Sequence, residues 1–203
     1  MALSDRLAAH EYYDRDAAGY AARYDSVTFN AVHPLLSRYL PSTGSALDIG
    51  AGSGRDARAM SEHGLDVTAV EPSAGLRAIG ATSDPRIRWI DDRLPDLLSM
   101  ADHAGRFDFI LCSAVLMLVS PADLAASFAT MARLLAPAGR IGINIRQPMA
   151  DEPADLFFAH SGDAILAAAA AAELRPLDRA EAEDALGRVR YRWRSFIFGR
   201  SRT

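Results

Sequence analysis

The stretch Ala46-Leu-Asp-Ile-Gly-Ala-Gly-Ser-Gly-Arg-Asp-Ala-Arg58 constrains the fold more than any other part of the chain. Ala46, Leu47 and Ile49 read as a short buried parallel strand, and Gly50, Gly52 and Gly54 as a turn with no side chains between its backbone and a ligand. From Asp56 the chain continues as a helix that stops at Gly64, a C-capping glycine. Strand, glycine turn and helix together set free backbone N–H groups at the C-terminal edge of a sheet, where open α/β folds bind ligands. The expectation is a site for a nucleotide-sized ligand.

The spacing narrows the ligand. Dinucleotide sites use G-x-G-x-x-G, whose third glycine lets the helix pack closely, whereas here the pattern is G-x-G-x-G with Arg55 where that third glycine belongs. Val67-Thr-Ala-Val-Glu71 reads as a second strand ending in a carboxylate 21 residues after Gly50, the position at which such folds hold a ribose through its hydroxyls. On these residues the chain resembles the class I S-adenosylmethionine-dependent methyltransferases, whose first motif is an acidic residue, any residue, then G-x-G-x-G, matched by Asp48 to Gly54. The resemblance implies S-adenosyl-L-methionine as cofactor, held by Tyr20, Asp48, Gly50, Ala51, Gly52, Arg55, Glu71, Pro72, Arg93 and Ser113, with Asp91 or Asp92 taking the adenine amino group. Arg55 also breaks a local rule, since a cation at a helix start opposes the dipole. Either it reaches into water or it offsets an anion, the cofactor's carboxylate or an acidic side chain of the N-terminal segment.

Composition sets the class. A chain of 203 residues with 50% hydrophobic content suits one domain with an ample core. A net charge of −4 gives no general attraction to nucleic acid or an anionic membrane. The longest uncharged run, Phe109 to Ala122, is too short to span a bilayer, so a soluble, cytoplasmic protein is expected. The single cysteine, Cys112, reads as a small buried hydrophobe.

In chain order, Tyr13, Ala17, Tyr20 and Tyr24 share one face of a helix over residues 10–24. That face is either a packing stripe or a cover over the cofactor, as N-terminal helices are in the resembling family. A second helix is expected from Val27 to Leu40, ended by Pro41. Ser73 is the N-cap of a short helix, Ile87–Ile90 a third strand, and Phe107–Val119 a fourth strand turning across the sheet edge from Ser113. Ser120-Pro121-Ala-Asp123 reads as a helix start, and Ile141–Ile145 as a fifth strand ending at Arg146. Asp163–Glu173 is an alanine-rich helix and Leu174–Leu177 a sixth strand. Arg188 to Phe198 reads as a last strand, which the resemblance places antiparallel between the fifth and the sixth. Its four arginines form a charged exposed face or meet an anionic partner.

Other chemistries find no support. There is no HExxH, no paired cysteine and no Cys/His cluster for a metal, no G-x-S-x-G, and no P-loop, because all 22 basic residues are arginine. The reading is a doubly wound Rossmann-like α/β fold with a seven-stranded, mostly parallel sheet and an antiparallel last strand. Residues 1–41 form an N-terminal helical cap and residues 45–203 the core of a single domain. The implied activity is methyl transfer to an oxygen, nitrogen or carbon of a small molecule. A non-catalytic S-adenosylmethionine-binding regulator and a nicotinamide-dependent oxidoreductase are the alternatives. The acceptor site is expected where the 13–24 segment, Ser113–Leu118 and Arg146–His160 converge, with His160 as candidate base and Arg146 as bidentate donor to an anionic acceptor.

Overall fold

The computed structural model describes residues 3–201. Its N-terminal segment is helical: α1 (Leu3–Asp14), α2 (Ala17–Asp25), α3 (Phe29–Val32) and a 3-10 turn at Leu36–Tyr39. The expected single helix over 10–24 is two helices, because Asp16 turns its side chain onto the Gly19 N–H and caps α2. The expected helix from Val27 to Leu40 is likewise absent. Thr28 caps a single α3 turn, and His33, forced out of the helical region ahead of Pro34 (φ −125°, ψ 55°), ends it.

The core alternates β1 (Ser45–Ile49), α4 (Arg55–Glu62), β2 (Asp66–Val70), α5 (Ala74–Ser83), β3 (Arg88–Ile90), β4 (Phe107–Ser113), α6 (Leu124–Leu134), β5 (Leu135–Arg146), α7 (Gly162–Ala171), β6 (Leu174–Glu183) and β7 (Arg192–Arg200). These strands form one seven-stranded sheet in the order β3-β2-β1-β4-β5-β7-β6. Every pairing is parallel except those of β7, which runs antiparallel to both β5 and β6. The order reverses between β1 and β4, so the crevice for a ligand opens at their C-terminal ends.

Alternation along the strands divides the core in two. Leu47, Ile49, Ile110, Cys112, Ile141 and Ile143 join one buried cluster with Phe128 and Met131 of α6. Ala46, Phe109 and Leu111 join the other, with Ala57 and Met60 of α4 and Leu36 of the N-terminal segment. Both faces are covered, as a parallel sheet requires. Cys112 is 1% exposed, and burial pushes its thiol well above the ordinary range, with the Asp48 charge acting the same way.

Four boundaries in the second half of the chain differ from the sequence reading. The α6 helix starts at Leu124 because Ser120 spends its hydroxyl on a tight turn with Asp123, accepting the Asp123 N–H and donating to Oδ2. The fifth and sixth strands are both longer than expected, reaching back to Leu135 and on to Glu183. Arg188 to Tyr191 is a turn and not part of the last strand, because the Asp184 carboxylate gathers the N–H groups of Leu186 and Arg188.

Candidate active site

At the end of β1 the backbone takes positive φ at Gly50, Gly52 and Gly54. The loop is fixed from beneath, since the Gly50 and Ala51 N–H groups donate to the Val70 carbonyl of β2 at 2.8 and 3.0 Å. A Cβ at Gly54 would strike Trp89 at 2.8 Å, but one at Gly52 would meet only the Tyr24 ring at 3.8 Å. Gly52 therefore borders open space. That space is a cavity of about 230 Å³, several times the roughly 30 Å³ share of one water molecule.

Glu71, 6% exposed at the end of β2, shapes one side of it. Its Oε2 accepts the Gly52 N–H and its Oε1 the Ser73 N–H, both at 2.8 Å, which leaves each oxygen a lone pair. Burial raises its carboxyl above the ordinary value, against those two bonds and the Arg77 charge. Asp92 also lines the cavity and is oriented by the N–H groups of Arg93 and Ser99. Asp91 does not; it turns outward to Arg77 at 3.1 Å.

Among the other residues read from the sequence, Gly50, Ala51, Arg55, Pro72, Arg93, Ser113 and Arg146 line the cavity, whereas Tyr20, Asp48 and His160 do not. Tyr20 stands behind it, packed on Tyr13 and Tyr24 at ring separations of 5.0 and 5.9 Å, and those two rings form the wall. Asp48 lies 2% exposed beneath the glycine loop, its Oδ2 without a partner among the described residues, and burial with the Asp56 charge holds its carboxyl well above the usual range. His160 is 2% exposed, and its Nε2 meets the Val119 carbonyl at 2.9 Å, so its ring is tied to the loop before α6 and does not line the cavity. Arg146 keeps its place but not its free fork, because Glu152 accepts from both Nη1 and Nη2.

Arg55 is mostly buried, and Asp56, then Asp48 and, in the N-terminal segment, Asp25 offset its charge. Its Nε and Nη2 donate to the two oxygens of its neighbour Asp56 at 2.7 and 2.8 Å, and Asp56 also takes Nε2 of the buried His33 at 2.9 Å. Burial alone would raise the Asp56 carboxyl, but His33 and Arg55 hold it well below the ordinary range.

The N-terminal segment is pinned over both ligand loops. Asp14 accepts from the Ser73 hydroxyl and the Gly75 N–H. Asp25 accepts from the Ser53 hydroxyl and from Arg58, each at 2.8 Å. On the far side the turn between β6 and β7 closes the wall with Asp184, Leu186 and Arg188, and with Trp193 of β7. Asp184 accepts Nε and Nη2 of Arg188 and the indole N–H of Trp193, and although burial acts to raise it, these donors bring its carboxyl down to about 2. The sequence reading missed this turn, for which Asp184-Ala-Leu-Gly187 was the available signal. It also missed Asn144, a polar residue between Ile143 and Ile145.

Among the described residues no group of His, Cys, Asp and Glu side chains is placed to hold a metal ion, and no helix is long and apolar enough to cross a membrane.

A doubly wound sheet with a glycine turn and a strand-end carboxylate at its switch point defines an α/β fold that binds a nucleoside-type ligand. The particular family follows from comparison: residues 13–152, more than half of the chain, match the family model of a methyltransferase domain, and the chain belongs to that family. Its structure is similar to that of 1,6-didemethyltoxoflavin-N1-methyltransferase from Burkholderia thailandensis, at 21% identity and a TM-score of 0.75 over 100% of this chain and 92% of that one. An S-adenosylmethionine-dependent methyltransferase from Methanosarcina mazei is similar at 15% identity and a TM-score of 0.70, over 84% and 98% of the two chains. Phosphoethanolamine N-methyltransferase 2 from Haemonchus contortus is similar at 16% identity and a TM-score of 0.70, over 95% of this chain and 58% of that one. No curated protein sequence matches the chain significantly.

Proposed function

We propose that the protein moves the methyl group of S-adenosyl-L-methionine to an oxygen, nitrogen or carbon nucleophile of a small molecule. The observation that carries this reading is the cradle at Gly52, open to the cavity beside a carboxylate with two unused lone pairs. In it Glu71 accepts two ribose hydroxyls, while Gly50, Ala51 and Gly52 let the ligand lie against the backbone. Asp92 and Arg93, at the next strand end, meet the adenine, Pro72 packs beside it, and Ser113 stands by the methyl group. The neighbour crystallised with 1,6-didemethyltoxoflavin and S-adenosylhomocysteine supports a small acceptor. When bound, S-adenosyl-L-methionine supplies a methyl carbon already activated by a sulfonium. The chain's own residues have only to align an acceptor with it and exclude water, which the N-terminal segment and the 184–191 turn do from opposite sides.

Calorimetry is expected to find binding of S-adenosyl-L-methionine and S-adenosylhomocysteine and none of nicotinamide dinucleotides; preference for a dinucleotide would overturn the reading. Glu71→Ala should weaken cofactor binding by about 1.5–3 kcal/mol, the range for a hydrogen bond to a charged group. The same carboxyl predicts a pH dependence. Glu71 has to be ionised to accept both hydroxyls, and its folded-state pKa is raised, with Arg77 opposing and Asp14 adding to the shift. Affinity should therefore hold near neutral pH and fall on acidification sooner than for an ordinary glutamate, and Glu71→Gln should flatten that fall.

A further inference from the structure

The half of the cavity away from Glu71 has a chemical character that the cofactor does not explain. Strand register aligns Ser113 of β4, Asn144 of β5 and Ser195 of β7 in one row across the sheet. Asn144 is 1% exposed, and its Oδ1 accepts the Ser195 hydroxyl at 3.0 Å. Its Nδ2 has no partner among the described residues, although Asn144 lines the cavity. An amide N–H₂ that opens onto a cavity with no protein acceptor is completed there by water or by a ligand.

Two other donors border the same cavity. Arg188 spends Nε and Nη2 on Asp184 and stacks on Tyr191, and its Nη1 has no hydrogen-bond acceptor among the described residues. The Tyr13 hydroxyl makes no hydrogen bond to a described residue, and burial, with Tyr24 and Tyr20 nearby, raises it well above the ordinary phenol, so it stays a donor. Asp184, the carboxylate paired with Arg188, is already filled by its own turn and by Trp193. Neither nearby histidine is paired with these donors, since His10 stands beside Arg93 at 3.3 Å and His160 is bound to the Val119 carbonyl. The remaining walls are flat and apolar, from Tyr24, Phe158 and Trp193.

Resting on the methyltransferase reading above, we infer that this half of the cavity, between Asn144, Arg188 and Tyr13, takes a planar conjugated acid as methyl acceptor, an acidic ring N–H or phenolic O–H, and takes it as its anion. Donors without acceptors select lone pairs and negative charge, and aromatic walls select a flat ring. An acceptor that is an anion on arrival has given its proton to solvent beforehand, so the chain has no proton to remove from it. The acceptor's lone pair then forms the bond to the methyl carbon as the carbon–sulfur bond breaks, and that bond's electron pair stays on sulfur.

The test is calorimetric titration of the protein saturated with S-adenosylhomocysteine, at neutral pH, with three probes: 4-nitrophenol, barbituric acid and benzylamine. At least one of the two acids is expected to bind tenfold or more tightly than the amine, and a bound nitrophenol to show its phenolate spectrum. Asn144→Ala should weaken that acid at least tenfold while S-adenosylhomocysteine affinity is unchanged. If Asn144→Ala does not fold, Asn144→Ser, which fits between Ser113 and Ser195, carries the comparison. Binding of S-adenosylhomocysteine together with preference for the amine, with no binding of either acid, or with an Asn144 variant indistinguishable from the parent, overturns the acceptor assignment alone. Loss of S-adenosylhomocysteine binding in the parent protein would overturn the methyltransferase reading and this assignment with it.

Discussion

Gly52→Val is expected to abolish S-adenosyl-L-methionine binding while leaving a folded protein. The new Cβ would meet nothing closer than the Tyr24 ring at 3.8 Å, so the fold itself has room for it. The two methyl groups beyond it would occupy the space against which the cofactor lies, and the Gly52 N–H to Glu71 bond would be harder to keep in register. The backbone adds a cost of its own, because φ is +58° and an L-residue pays about 1–2 kcal/mol there, a β-branched one at the upper end or beyond. Gly52→Asn separates the two effects, since asparagine tolerates the left-handed region and still fills the cradle. Both variants should lose at least about 100-fold in affinity, roughly 2.7 kcal/mol. Valine should lower the melting temperature more than asparagine. Retained affinity in both would place the cofactor elsewhere.

That glycine turn is also where the sequence was most informative. A strand, a turn and a helix in 13 residues are a local pattern, and both the positive-φ glycines and the carboxylate at the end of the next strand are written in residue types and spacing. The alternating strands and helices carried the parallel part of the sheet for the same reason, whereas the antiparallel β7 came from the resemblance. Side-chain direction is different. Asp91 and Asp92 are adjacent and chemically identical, and only the Ser99 N–H on one and Arg77 on the other decide which of them faces the cavity.

The misread elements share a cause of another kind, a local competitor that periodicity does not register. Pro34 divides what the apolar spacing of Phe29, Val32, Leu36 and Tyr39 presents as one helix. Asp184 folds Arg188–Tyr191 into a turn although arginine and apolar residues alternate there as they would in a strand. Arg146 and His160 were legible as functional groups but not as groups already spent. The Glu152 that occupies Arg146 is six residues on, and the Val119 carbonyl that holds His160 is 41 residues back. Asn144 is the converse case, an unspent donor that looks like an interruption of an apolar strand until the register places it beside Ser113 and Ser195.

Removal of Asp56 should be the most destabilising single change near the site. Its carboxylate satisfies three side-chain donors at once, two from Arg55 and one from His33, and His33 is fully buried on the far side of the contact between α3 and α4. Asp56→Ala leaves a buried imidazole and a mostly buried guanidinium without their acceptor, a loss of about 3 kcal/mol or more where one partner of a buried pair is deleted. In a chain of this size that is a fall in melting temperature of roughly 6–12 °C. The pH dependence identifies the cause. The Asp56 carboxyl is held below its unfolded value, so its contribution is complete above that value, near 3.9, and is lost as pH falls through the lower folded-state pKa. The difference in stability between parent and Asp56→Ala should therefore be present at about pH 4 and shrink below it. Asp56→Asn, which keeps one carbonyl acceptor, should fall between the two proteins at neutral pH. A variant as stable as the parent, or a difference that grows on acidification, would mean that the three side chains are neighbours and not an energetic unit.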